Sequence, residues 1–326
     1  MEEFDFKTIA NDLVSKLNSK EKEVISRRFG FGGKEKETLE AIGKDFGVSR
    51  ERIRQIQEMA LKRIQQNLDK YKSLFEFFEQ KFEEFEGVRK EANLLSELTE
   101  KAKNEAFFLL SLWPSFERFP ENKETFAFWV NKKGAKEKLE KLIEKVISIL
   151  EEKKRTLSLE EISSYFSLKM KILREWIEIS KKIGKDKKGF YGLKEWPEIT
   201  PRGVRDKAYL VLKETGRPLH FSEIAKLIEN ANLHTVHNEL IKDPKFVLIG
   251  RGIYALAEWG YEKGQVKDII LKVFKEEKRP LTKEEIIEKV LKQRIVKKST
   301  ILTNLSDKKY FLRDDEGRYY PKVEVA

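Results

Sequence analysis

The chain has 326 residues, 40% hydrophobic and 38% charged, with a formal net charge of +11 and a pI near 9.3. That length calls for two to several compact domains, and the hydrophobic share excludes a disordered chain. With no cysteine, disulfides and thiolate metal sites are excluded; with no secretory leader and no apolar run able to span a bilayer, the expected location is cytoplasmic, with no membrane partner.

The basic balance favours a polyanionic partner, because lysines and arginines laid along a phosphate backbone release its condensed counterions. Residues 1–70 hold 15 Lys and Arg against 13 Asp and Glu, so most of the excess lies further along. In chain order, residues 5–17 place Phe6, Ile9, Leu13 and Leu17 at helical spacing. Asn18 with Glu21 forms a capping box for the next helix. The loop FGFGGKEKE at 29–37 is a break before Thr38, which can cap the helix after it.

The stretch TLEAIGKDFGVSRERIRQIQEMALKRI, from Thr38 to Ile64, reads as a helix-turn-helix. Ile42, Phe46, Val48, Ile53 and Ile56 fall where two short helices crossing steeply bury side chains against each other. Gly43 allows close approach, Gly47 supplies a left-handed turn, and Ser49 caps a second helix that starts at Arg50. On that helix Ile53, Ile56, Ala60 and Ile64 share one face, and Arg50, Glu51, Arg54, Gln55 and Glu58 share the other. The polar face carries base-reading chemistry. Arg can donate a bidentate pair to guanine, Gln can pair with adenine and Glu can accept from cytosine, each worth roughly 1–3 kcal/mol of discrimination. The plainer reading is a solvated charged face.

Asn18 to Ile64, with its RRFGF and SRERIRQIQ runs, resembles region 4 of the sigma-70 family of bacterial transcription initiation factors. The resemblance implies recognition of the upstream (minus thirty-five) promoter element as double-stranded DNA, and docking on the beta flap of the bacterial RNA polymerase core. It implies that Ser49, Arg50, Glu51, Arg54 and Gln55 lie at the DNA-contacting positions and that Arg28 contacts the backbone. Ser19 and Gln57 depart from the family, where proline and glutamate are common. The resemblance covers about the first seventy residues.

Beyond it, Tyr71, Leu74, Phe75, Phe78, Phe82 and Phe85 continue a helical apolar stripe read as core. Gly87 to Trp129 gives two apolar helical stretches and then FERFPENKETFAFW, a candidate hairpin; the whole stretch reads as a degenerate copy of a repeat found further along. From about Lys136 the chain repeats. RTLSLEEI at 155–162, RPLHFSEI at 217–224 and RPLTKEEI at 279–286 recur every 62 residues. Each comes after an amphipathic helix and precedes another helix and two short strands, at GFYGLKEW (189–196), GIYALAEW (252–259) and GRYYPKVE (317–324). FVLIGRGIYAL alternates apolar residues around a Gly-Arg-Gly turn, as a hairpin should.

This is the winged-helix plan. The middle copy, through its TVHNELIKDP and GRGIYALAEW runs, resembles the HARE-type winged helix at roughly 203–260. That module is shared by the delta subunit of bacterial RNA polymerase, some restriction enzymes and eukaryotic chromatin proteins, which implies nucleic-acid binding or protein docking. The expected fold is mostly α: a helix-turn-helix domain (1–70), a helical linker or divergent winged helix (71–134), and winged helices with small β-hairpin wings at 135–200, 201–262 and 263–326. The first wing carries Lys185, Lys187 and Lys188 and the second Arg251, which suits contact with phosphates. The third carries Asp314, Asp315 and Glu316, which points to protein docking or a structural role, although Lys297 and Lys298 run counter to that.

His220, His234 and His237 all lie in the middle copy and read as surface or capping residues; no metal or cofactor is expected. Phosphate loops, nucleophile elbows and zinc-protease motifs are missing, so the chain is not expected to be an enzyme. Three readings remain: a sequence-specific transcription factor at promoters, a delta-like polymerase accessory protein, and the DNA-recognition part of a restriction or defence system. Only about seventeen residues precede Asn18, so the chain is expected not to open a promoter by itself. Oligomeric state and target sequence stay open.

Overall fold

The computed structural model describes residues 4–261 and 263–322, which form two compact units, one ending at Glu195 and the other starting at Trp196. The described residues are mostly helical with small antiparallel sheets, the fold class expected from the sequence.

The first unit opens with α1 (Phe6–Ser15), α2 (Ser19–Phe29), α3 (Leu39–Phe46) and α4 (Arg50–Gln65). Local chemistry sets these boundaries. Asp5 caps α1, and the expected Asn18–Glu21 capping box starts α2. Next come α5 (Lys72–Glu83), β1 (Val88–Lys90), α6 (Glu91–Leu98), α7 (Lys103–Leu112), β2 (Glu117–Phe119) and β3 (Phe128–Val130), in a sheet of order β1-β3-β2. Helix, strand, two helices and a hairpin is the winged-helix order, and FERF and AFWV do form the hairpin expected at this place.

One aromatic core joins these parts. Phe6 stacks on Phe78 and Phe75 on Trp113, while Phe29 and Phe31 meet the edge of Phe108. The core runs from Phe6 to Trp129, so α1, α2 and the end of α4 bury their inner faces against α5, α6 and α7. The order then recurs, with an isolated bridge at Leu157 in place of the strand, in α8 (Ala135–Lys153), α9 (Leu159–Ser163), α10 (Met170–Ile177), β4 (Ile183–Lys185) and β5 (Tyr191–Leu193).

The second unit holds α11 (Gly203–Thr215), β6 (Leu219–His220), α12 (Phe221–Leu227), α13 (Leu233–Lys242), β7 (Phe246–Gly250) and β8 (Ile253–Leu256). It continues with α14 (Val266–Glu277), α15 (Lys283–Gln293), α16 (Lys298–Leu305), β9 (Phe311–Arg313) and β10 (Tyr319–Pro321). The final two residues of the GRYYPKVE run, Val323 and Glu324, lie outside the described residues. Within this unit the stretch after α15 pairs with the edge strand β7. Ile295 donates its N–H to the Ile249 carbonyl at 2.9 Å, and the buried Arg294 donates to the carbonyls of Leu248 and Gly264.

The 62-residue repeat has a structural meaning. Leu157, Leu219 and Leu281 are buried and bridge Tyr191, Tyr254 and Tyr319, which ties the start of each second helix to its hairpin. The next residue, Ser158, His220 or Thr282, opens a capping box closed by Glu161, Glu223 or Glu285. In the degenerate first copy Arg89 stands at the leucine's place and pairs with Trp129.

Candidate nucleic-acid interface

Thr38 starts α3 by accepting the Ala41 N–H at 3.1 Å, Gly47 ends it at φ +65°, and Ser49 starts α4 by accepting the Arg52 N–H at 3.2 Å. A Cβ on Gly43 would stand 2.8 Å from the Val48 carbonyl oxygen, so the turn packs onto α3 more closely than any other residue permits. Val24, Ile42, Ile53 and Ile56 are buried beneath, with Leu39, Phe46 and Val48 at the margin. Each full aliphatic burial contributes about 1.5–3 kcal/mol, which fixes the angle at which α4 is presented.

With that face inward, Arg50, Glu51, Arg54 and Gln55 lie together and exposed on the other. Arg54 donates to Glu51 at 2.6 and 2.9 Å and also to Glu58. These bonds hold the Glu51 carboxyl below the usual carboxylate range and make the Arg54 guanidinium more basic. The two acids orient the arginine along the helix surface. Arg52 donates to Gln55 at 3.1 Å. Arg52 is absent from the base-reading row expected from the sequence, although its i, i+3 relation to Gln55 was a usable signal.

Behind this row, Arg27 on α2 bonds Glu37 at 2.6 and 2.9 Å and also Asp45, which raises its basicity, and so ties α2 to the loop and to α3. Arg28 is half-buried and donates to the Glu37 carbonyl at 2.9 Å. It therefore braces the loop, with further N–H donors left for a phosphate. Ser49 has its hydroxyl engaged in the cap. Lys187 and Lys188 are exposed at the turn joining β4 to β5, and Arg251 is exposed at the turn joining β7 to β8. These turn residues belong to separate hairpins and share no element with the α4 row.

Two helices that would be groove readers in a winged helix are packed inside the first unit. On α7, Glu105 accepts the Gly32 N–H at 2.9 Å, and Asn104 donates to the carbonyls of Gly30 and Lys34 at 2.7 and 3.1 Å. On α10, the buried Glu175 accepts from Arg89 at 3.2 Å, from the Lys90 N–H at 3.0 Å and from Asn93 at 2.8 Å. Beside it Trp176 donates to the Phe85 carbonyl at 3.2 Å. Almost all of α7 is enclosed, whereas α10 keeps Met170, Lys171 and Arg174 exposed on its outer face.

His220 caps α12, and His237 stacks on Phe221 with ring centroids 4.4 Å apart. Among the described residues no three His, Asp or Glu side chains converge to hold a metal, and no helix is long and apolar enough to cross a membrane.

The turn, the cap, the buried frame and the exposed row all fall inside one stretch with a family match. Residues 13–66 match sigma-70, region 4. Over 61 residues the chain is 44% identical to the RNA polymerase sigma factor RpoD of Helicobacter pylori, covering 18% of this chain and 9% of that protein. Over 56 residues it is 45% identical to the RNA polymerase sigma factor RpoS of Coxiella burnetii, covering 17% and 16%. The chloroplastic RNA polymerase sigma factor sigF of Arabidopsis thaliana is 38% identical over 60 residues, covering 18% and 11%. The chain thus spans 9–16% of the length of these relatives. The region 4 segment comprises the end of α1, all of α2 and α3, and α4.

Proposed function

We propose that this protein binds promoter-like double-stranded DNA by seating α4 in the major groove, and that it acts with the bacterial RNA polymerase core in transcription initiation or its regulation. The exposed row Arg50, Glu51, Arg54 and Gln55, on a helix whose opposite face is buried and within the region 4 segment, carries this reading. The polymerase partner, with the beta flap as its docking point, rests on the relatives being RNA polymerase sigma factors. The role is binding in the cytoplasm, without catalysis or cofactor.

Arg54→Ala and Gln55→Ala are each expected to weaken binding to the preferred site by about 1–3 kcal/mol and to random duplex far less, because each loses a base-edge pair. Arg28→Ala is expected to weaken both in the same proportion, since a phosphate contact and a braced loop carry no sequence information. Sites selected from a random pool, and then anisotropy titration of the three variants, check this. Equal losses on specific and random DNA for Arg54→Ala would refute base reading by α4.

A polymerase accessory role is favoured by one observation: α7 and α10 are used for packing between parts of the first unit, which makes the repeats there a scaffold. Titrating core polymerase against promoter DNA separates the two roles. An accessory protein finds DNA only when polymerase is present.

A further inference from the structure

The third helix of each winged-helix repeat has a different environment. α7 is packed inside, α10 buries Glu175 and Trp176 and exposes Met170 beside a Lys171 paired with Glu84, and the outward face of α13 exposes Leu233 and Ile241, 41% and 62% accessible. α16 differs from all three. Ile301 and Leu305 bury its inner side, while Ser299, Thr300 and Thr303 stand exposed on its outer side. Lys297 and Lys298 flank its start and Lys308 and Lys309 lie beyond its end, all four exposed. Among the described residues none of the four has a carboxylate within ion-pair distance.

We infer that α16 is a second duplex-DNA contact, gripping the phosphate backbone from within the major groove with little reading of bases. Eight helical residues span roughly 12 Å, close to the ~12 Å width of the groove, so a lysine pair at each end reaches one phosphate wall. The small hydroxyl face between them has no bulk to clash with base edges. The Thr303 hydroxyl is engaged with the Ser299 carbonyl at 2.9 Å, which leaves Ser299 and Thr300 as weak donors.

The acids nearby offset only part of this charge. Asp307, which accepts the Lys309 N–H at 3.0 Å as a turn cap, sets one carboxylate against the four lysines. In the hairpin, Asp314 accepts the Arg318 N–H at 2.7 Å and Glu316 pairs with the Arg318 guanidinium at 3.2 Å, so the acidic turn that suggested protein docking is partly neutralised from within. Duplex DNA is the partner that fits, because exposed lysines at both ends of a short, smooth helix match two parallel rows of phosphate.

This inference does not depend on base reading by α4, and the test is run in a full chain carrying Arg54→Ala. Its binding to a labelled random-sequence duplex is measured by anisotropy through a salt series. Adding K297Q, K298Q, K308Q and K309Q together is expected to reduce the slope of log affinity against log salt by about 3–4, at roughly 0.9 for each phosphate no longer neutralised. Arginine at the same four positions is expected to keep the slope. A control with K132Q, K133Q, K138Q and K141Q removes the same charge from exposed lysines elsewhere and is expected to change it little. An unaltered slope, an equal effect of the control, or capture of polyglutamate with no response to duplex would overturn the inference.

Discussion

Lys154, Gly216 and Lys278 occupy one position of the repeat, each ending a first helix at positive φ, +52°, +64° and +51°. Each donates its N–H at 2.9 Å to the carbonyl four residues back, of Leu150, Leu212 or Phe274. Glycine suits this left-handed cap, whereas a lysine Cβ costs about 1–2 kcal/mol there. Glycine also frees the unfolded chain, which returns about 0.4–1 kcal/mol of that gain. Lys154→Gly and Lys278→Gly are therefore expected to stabilise by up to about 1 kcal/mol, and Gly216→Lys to destabilise by a similar amount; urea midpoints of the full chain check this. The sequence announces the turn at Gly216 and hides it at the two lysines, because lysine carries no turn signature. By contrast Gly43, Gly47 and Ser49 were legible, since each acts through neighbours a few residues away.

At the level of elements, what the sequence could not reveal is where a helix face goes once other segments arrive. Arg89, of a residue type almost never fully buried unless paired, is 2% exposed and held by Glu175 from α10 and by Glu97 at 2.6 Å. Its position in the repeat belongs to leucine elsewhere; here the backbone keeps the hairpin pairing, with Trp129, and the side chain makes ion pairs in place of apolar packing. The helical period of α10 shows an apolar face and says nothing about Glu175 being enclosed at its flank. Glu175→Ala strands a buried guanidinium with Glu97 as its remaining carboxylate, and is expected to cost about 3 kcal/mol, the lower part of the range for a broken buried pair. Glu175→Gln keeps acceptors for Lys90 and Arg89 and is expected to cost less. Thermal unfolding of both variants measures the difference.

On the scale of the whole molecule, the sequence showed the 62-residue period because buried leucines and capping glutamates recur in register. It did not show the shared aromatic core, because a phenylalanine stripe looks the same whether it meets its own domain or the next. That core carries a mechanical consequence. The helical segment up to α4 and the segment from α5 to β3 share this one core, so neither can be pulled away while the other holds. With optical-tweezers handles on Phe4 and Gly134 of the full chain, the segment between them is expected to yield in one rip. The release is roughly 130 residues of contour, on the order of 450 Å, and two half-sized steps would show that the parts break separately.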